Sequence, residues 1–299
     1  MSVAPATRPH EAAVGPPMPR QARRPRYGSR MTFDLVTIFP GFFKSMLEYG
    51  VLKRAIAGGQ ASIRLHDLRD FTDDRHRTVD DRPFGGGPGM VFKPEPVFKA
   101  IAALQAETPD RRFPVILLSP QGTLFTQAVA EELMRQDRLA LICGRYEGVD
   151  ERIAEHVATD EISIGDFVLS GGELPAALIM ESVVRLLPGV LGNEESARQD
   201  SFSTPQAGPG EFRHGLLDFP HYTRPAEFQG WRVPEILLSG NHEEIRRWRR
   251  QRALEKTWRK RPDLLAGFPL SEEDRQRLDT LQREGCEPVA ISGLGEQKL

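Results

Sequence analysis

Short apolar runs, each ending in a glycine-bearing turn, recur through the middle of the chain. Val115–Leu118 leads into Ser119-Pro120-Gln121-Gly122, Leu139–Ile142 into Cys143-Gly144-Arg145-Tyr146-Glu147-Gly148, and Ile162–Ile164 into Gly165 and the segment ending at Pro175. Apolar runs of this length bounded by Gly and Pro predict buried strands. Phe33–Phe39 and Ala61–Leu65 predict two more, with a helix through Phe43, Met46 and Leu47 between them. Pro94–Leu104 predicts a helix with proline in its first turn, where a missing N–H does no harm. Glu173–Leu187 predicts a helix that is apolar on most of its surface, with Glu181, Ser182 and Arg185 on one side and Pro188-Gly189 as its stop. Strands alternating with helices predict an α/β domain on a mostly parallel sheet covered on both faces. Asp67 to Met90 interrupts the pattern with a long polar loop holding Asp73, Asp74, Asp80, Asp81 and the run Phe84-Gly85-Gly86-Gly87-Pro88-Gly89. A loop that long within a compact domain is usually functional or disordered.

The polar stretch 191–211 reads as a flexible interdomain linker and the best domain boundary. Beyond it, residues 212–285 predict a small helical domain. Asn241 caps a helix with Glu243 and Glu244 in its first turn and a basic body, and Ser271 with Asp274 opens another. Residues 286–299 form a tail. Residues 1–30, rich in Pro, Ala and Arg without periodic apolar spacing, read as a disordered basic extension ending at Met31. The strand–helix domain therefore spans 31–190.

The formal net charge of −2 over 299 residues conceals an asymmetry. Residues 241–261 carry nine Lys/Arg against Glu243, Glu244 and Glu255, and residues 1–30 carry six arginines against Glu11 alone. A basic stripe on an otherwise acidic chain points to a localised polyanion contact. Cys143 and Cys286 alone make neither a disulfide framework nor a zinc site, and a reducing cytoplasm is the simplest reading. No apolar stretch approaches the roughly 18–20 residues of a membrane helix, so no membrane partner is expected. P-loop, dinucleotide and Gly-x-Ser-x-Gly patterns are absent, and the residues around His76 lack metal-ligand spacing.

In open α/β sheets, ligands bind beyond the carboxyl ends of the strands, where glycine permits close backbone approach or a positive φ. Three such loops between residues 118 and 175 predict one pocket for a mid-sized molecule.

Those three loops, from Ser119 to Gly122, Cys143 to Arg152 and Ile164 to Pro175, resemble the AdoMet-binding segments of the bacterial tRNA (guanine-N1-)-methyltransferases, the TrmD family of the SPOUT superfamily. Four further stretches agree: Asp70 to Met90, Pro188 to Gly192, Leu216 to Pro225 and Val233 to Trp248. The likeness spans about residues 31–285, with Phe84 and Phe167 standing where tyrosine is expected. It implies a deep trefoil knot in the 31–190 domain and a cytoplasmic homodimer whose active sites are each shared between chains. It implies that Leu118, Ser119, Pro120 and Gln121, Gly144, Tyr146 and Glu147, Ile164, Gly165, Asp166, Phe167, Val168 and Leu169, and Gly171 and Gly172 cradle a bent AdoMet, with Pro175 closing the adenine side. The substrate it implies is tRNA with guanine at position 37. It also implies Mg²⁺ dependence, with no ligand set readable.

Guanine N1 carries a proton and is a poor nucleophile until that proton is removed, so methylation needs a carboxylate base and a cation near O6. The resemblance puts the base at Asp200, in Arg198-Gln199-Asp200-Ser201-Phe202, and the cation at Arg185; Glu147 carries over as a residue shaping the AdoMet and guanine pockets. Without the resemblance, Asp200 reads as a solvated or turn-forming residue. Arg185, four residues after Glu181, reads as helix support of about 0.2–0.5 kcal/mol. The basic stripe, with Trp248 and Trp258 interleaved, suits phosphate contacts to an RNA stem through Arg246, Arg249 and Arg250. His221, Tyr222 and Arg224 add stacking or phosphate contacts, with core packing the other reading of Tyr222. Two other functions fit less of the pattern. A SPOUT-type ribose 2′-O-methyltransferase would not need the Asp200/Arg185 pair, and a non-catalytic AdoMet-responsive RNA-binding protein would incorporate no methyl group.

Overall fold

The computed structural model describes residues 30–192, 201–202, 215–266 and 268–284. The predicted extension before residue 30, most of the predicted linker with Asp200, and the predicted tail lie outside these residues. Five strands, β1 (Met31–Thr37), β2 (Ala61–Asp67), β5 (Val115–Leu124), β6 (Arg138–Cys143) and β7 (Asp160–Ser163), form one sheet in the order β2-β1-β6-β5-β7, with every pairing parallel.

Side chains alternate between the two faces of a strand, and here both faces are buried. Phe33, Leu35, Leu139, Leu141, Ile116 and Leu118 pack with α2 (Gly50–Ala57) and α6 (Glu173–Val184). Val36, Ala140, Ile142, Val115 and Leu117 face the other way, against α3 (Pro94–Ala106) and α5 (Glu151–His156). Asp34 is fully buried on this second face, bonded to Arg64, His66 and Arg138. Long apolar runs thus arise because no side of the strand meets water.

Three local features differ from the sequence reading. The helix expected through Phe43 to Leu47 is a 3-10 turn, Pro40–Phe43, followed by the single turn α1 (Lys44–Leu47). Gly50, at a φ of +62°, then redirects the chain into α2. The segment Asp67–Met90 is partly built: Leu68–Phe71 is a 3-10 turn, and β3 (Asp80–Asp81) pairs antiparallel with β4 (Val91–Phe92). Ser119–Gly122 is not a turn ending a strand. β5 runs through to Leu124 and bulges, so that Leu118 and Thr123 both stand opposite Ile162. Gly122 serves this close approach, since a Cβ there would overlap the Glu161–Ile162 peptide. Thr126 then caps α4 (Gln127–Leu133).

Residues 215–284 pack around a hydrophobic cluster of their own, formed by Leu216, Phe219, Ala253, Leu254, Leu278 and Leu281. It joins α7 (His242–Lys260) to α8 (Glu272–Arg283), beside a short hairpin of β8 (Glu227–Phe228) and β9 (Trp231–Arg232). Both expected caps form: Asn241 Oδ1 accepts from Glu244 N–H at 3.3 Å, and Ser271 with Asp274 closes a capping box. Among the described residues, no helix is long and apolar enough to cross a membrane.

Candidate cofactor and catalytic site

The last two glycine-bearing segments meet beyond the ends of β6 and β7, and the bulge of β5 at Ser119–Gly122 lies alongside, since Leu118 stands opposite both Cys143 and Ile162. The chain leaves β7 at the outer edge of the sheet, beyond β5, and crosses to β6 instead of returning over its neighbour. Arg145 and Gly171 form an antiparallel bridge, and Gly172 N–H donates to Gly144 carbonyl O at 2.9 Å. The crossing needs glycine. A Cβ on Gly172 would lie 2.7 Å from Cys143 Cα, so α6 begins almost in contact with the end of β6. Gly172→Ala is therefore expected to cost about 1–3 kcal/mol by overpacking against backbone that cannot yield. Thermal unfolding measures this, and an unchanged transition would mean that the two segments separate easily.

Around this crossing, Leu118 is buried, Ser119 half-buried, and Pro120 and Gln121 exposed. Ser163 Oγ accepts from Gly165 N–H at 3.2 Å and so fixes the entry to the last loop. Gly165 has a φ of +147°, with the Phe167 ring folded back over it. Ile164 is half-buried, Asp166 to Leu169 are exposed, and Val168 reaches 83% exposure. Pro175 lies in the first turn of α6. Tyr146 adopts a φ of +62° and meets Phe92 edge-on at 5.8 Å. Glu147 N–H donates to Met90 O at 3.0 Å, and its side chain fills the space left by Gly89. The end of the long 67–90 loop, at Gly89 and Met90, thus packs against the segment after β6.

Arg185 follows the last turn of α6, where its N–H donates to Glu181 O at 3.2 Å. At 1.5 Å per residue, it stands about 20 Å from Gly172 along the helix. Arg185 and Gly172 thus stand at opposite ends of α6.

Sequence reasoning missed a buried contact at the heart of the site. Glu173, 1% exposed, accepts from Thr37 Oγ1 at 2.8 Å and pairs with Arg145 Nε at 3.2 Å. The one available signal was an acidic residue heading an otherwise apolar helix. Burial and the Glu173 charge push the neighbouring Cys143 thiol well above its ordinary range, against the pull of Arg145. Cys143 is therefore a protonated packing residue and not a nucleophile. Among the described residues, no group of three or more His, Cys, Asp or Glu is placed to hold a metal ion.

The basic stripe is less uniform than its sequence. Arg246 pairs with Glu243 at 2.9 Å, and Arg249 covers the Phe219 ring at 4.8 Å. Arg250 departs from the expectation of a phosphate contact. Its side chain is 14% exposed and pairs with Asp274 at 2.8 Å, which pins α7 to α8. Burial pushes the Asp274 carboxyl up, but the bonds from Arg250 and Ser271 hold it below its ordinary range. His221 bonds Asp218 at 2.6 Å and leans on Phe219, Tyr222 is half-exposed with its ring 6.4 Å from Trp248, and Arg224 is exposed.

A family model described as tRNA (Guanine-1)-methyltransferase TrmD matches residues 31–267. Among curated relatives named tRNA (guanine-N(1)-)-methyltransferase, that of Koribacter versatilis is 57% identical over 260 residues, covering 84% of this chain and 98% of the relative. That of Dictyoglomus turgidum is 53% identical, covering 87% and 100%, and that of Geobacillus kaustophilus 52%, covering 85% and 99%. The matched span takes in the parallel sheet, the crossing onto α6 and the basic helix α7, and relatives this similar along nearly their whole length leave one conclusion: the chain belongs to the tRNA (guanine-N1-)-methyltransferase family.

Proposed function

We propose that this chain methylates N1 of guanine-37 in tRNA, with AdoMet as methyl donor. The observation that supports the reading is the crossing from β7 to β6, which packs Gly171 and Gly172 against Arg145 and Gly144 in a chain of the guanine-N1 methyltransferase family. In this reading the backbone at Gly144, Gly165, Gly171 and Gly172 cradles the ligand, while the room left by the missing side chains is taken by Val149, Phe167, Arg145 with Glu173, and Cys143, so that glycine lets the loops pack on one another. When bound there, AdoMet supplies an electrophilic methyl group on a sulfonium. Asp200 accepts the N1 proton, the N1–carbon bond forms as the carbon–sulfur bond breaks, and Arg185 balances charge at O6. Glu147 shapes the guanine side. No step is assigned to Mg²⁺.

The same reading includes a homodimer and a deep knot in residues 31–190. Arg185 stands about 20 Å along α6 from Gly172, which suits its supply to the pocket of a second copy. Leu174 and Leu178, one helical turn apart on α6, are 54% and 43% exposed, and Phe167 and Val168 are exposed too, which suits an interface. The crossing over β5 is the passage at which a knot would be tied.

In this reading, residues 212–285 grip the tRNA in the cytoplasm through Arg246, Arg249, His221, Tyr222 and Arg224, while Arg250 holds the helices together. Replacing Arg246 and Arg249 by Gln should weaken tRNA binding and lower the salt slope of log K by about one to two units, with AdoMet affinity unchanged. Filter binding across a salt series measures it, and an unaltered slope would leave these arginines as solvated charge. Labelled AdoMet with guanine-37 and adenine-37 transcripts tests the function itself. Incorporation into the first alone supports base methylation. Incorporation into both favours ribose methylation, and binding without incorporation favours a non-catalytic protein.

A further inference from the structure

We infer that Glu173 is a positioning residue for the cofactor pocket, acting through Arg145 to hold the loop after β6 against the first turn of α6. The inference rests on reading that pocket as the AdoMet site. Four interactions close into a ring. Phe39 N–H donates to Thr37 Oγ1 at 2.9 Å, and Thr37 Oγ1 donates to Glu173 Oε1 at 2.8 Å. Arg145 Nε donates to Glu173 Oε2 at 3.2 Å, and the Arg145 guanidinium covers the Phe39 ring at 4.5 Å. The ring ties together the end of β1, the loop after β6 and the start of α6, segments 28 and 136 residues apart.

An acidic residue in the first turn of a helix is often explained by the helix dipole alone, but that role needs no burial and no distant partner. Glu173 has both. A buried carboxylate persists only when paired and hydrogen-bonded, and here its partners come from the pocket wall. The pair also runs through the space that Gly171 leaves empty, since a Cβ there would lie 2.6 Å from Arg145 Nε and 2.5 Å from Glu173 Oε2. Arg145 immediately precedes Tyr146, whose φ of +62° is uncommon for a residue with a side chain. Such a conformation persists where its surroundings over-determine it, and the Glu173–Arg145 contact supplies that constraint. On the far side of Phe39, Arg69 bonds Ile38 O at 2.6 Å and lies 5.9 Å from the same ring, so the long 67–90 loop is braced at the same point.

The test is calorimetric titration of AdoMet into the full-length wild type, Glu173→Gln, Arg145→Met and the double variant, with thermal unfolding and the KM for AdoMet and for tRNA measured alongside. Glu173→Gln keeps the bond to Thr37 and the shape but loses the charge that orients Arg145. Each single variant should weaken AdoMet by roughly tenfold or more with tRNA KM unchanged. The double variant should be little worse than either single, as expected for residues acting as one unit. If Glu173→Gln does not fold, Arg145→Met and Phe39→Leu, which alter partly exposed side chains, carry the same comparison. A lowered Tm with AdoMet affinity within about twofold of wild type, or losses that simply add, would overturn the inference. Failure of the wild type to bind AdoMet would instead sink the cofactor assignment beneath it.

Discussion

Asp200→Asn is expected to leave AdoMet binding intact and to slow methyl transfer by roughly 10²–10⁴-fold, the usual loss for a general base. Asparagine keeps the shape of the side chain and much of its hydrogen bonding, so the change isolates basicity. The proposed cofactor pocket, formed mainly by backbone around Ser119, Gly144 and Gly165, should not register the substitution. Arg185→Lys should also be severe, because a point charge does not reproduce a planar guanidinium fork against O6. The proposed sharing of the site between two copies has a further consequence. Co-assembly of Arg185→Lys with a variant unable to bind AdoMet should restore partial activity, as one pocket then regains an intact partner. Single-turnover methyl transfer by Asp200→Asn near the wild-type rate would move the base elsewhere. Asp166 and Glu147, both exposed on the pocket loops, are then the next candidates.

What could be read in advance follows the range of the forces involved. Strands buried on both faces must be apolar nearly throughout, so β1, β5 and β6 were visible as apolar runs, while the half-buried edge strand β2 alternates Ile63 and Leu65 with Arg64 and His66. The caps at Asn241 and Ser271 depend only on neighbours within one turn, and they were visible too. Gly122 was misread because its neighbours Ser119 and Pro120 imitate a turn, whereas the glycine answers to the backbone of Glu161, 39 positions away. No spacing rule could link Thr37, Arg145 and Glu173, which meet only because the chain crosses from β7 to β6. Arg250 was legible in principle. Helical spacing aligns it with Ala253, Leu254 and Thr257, which are all buried. Counting charges along the stripe hid that periodicity. Asp34 stood in plain view as the lone acid in an apolar strand, but its partners on β2 and β6 depend on sheet order. The chemistry of Asp200 and Arg185 rests on family likeness, because two polar residues 15 positions apart carry no geometric signature.

Asp34→Asn is expected to destabilise the folded protein by about 3–5 kcal/mol at neutral pH, the range for removing one partner of a buried charge cluster. Asp34 Oδ1 accepts from Arg64 Nε at 2.6 Å and His66 Nε2 at 2.8 Å, while Oδ2 accepts from Arg138 Nε at 2.7 Å. Glu107, at the sheet margin, bonds the same two arginines at 2.8 and 3.0 Å, but it is 45% exposed and cannot replace a fully buried charge. Burial pushes the Asp34 carboxyl up, but the bonds from His66, Arg138 and Arg64 outweigh it and hold the group below its ordinary value. A carboxyl depressed in the folded state adds stability that is fully present above the unfolded value of about 3.9 and is lost as pH falls through the lower, folded value. The gap between wild type and Asp34→Asn should therefore be widest from about pH 5 upward and shrink only in more acid solution. Urea unfolding at pH 7 and at stepped acid pH values measures both. A gap below about 1 kcal/mol at pH 7 would be the size of an exposed pair, and it would mean that Glu107 and solvent hold the arginines without Asp34. A gap that stays constant on acidification would attribute the loss to packing and not to charge.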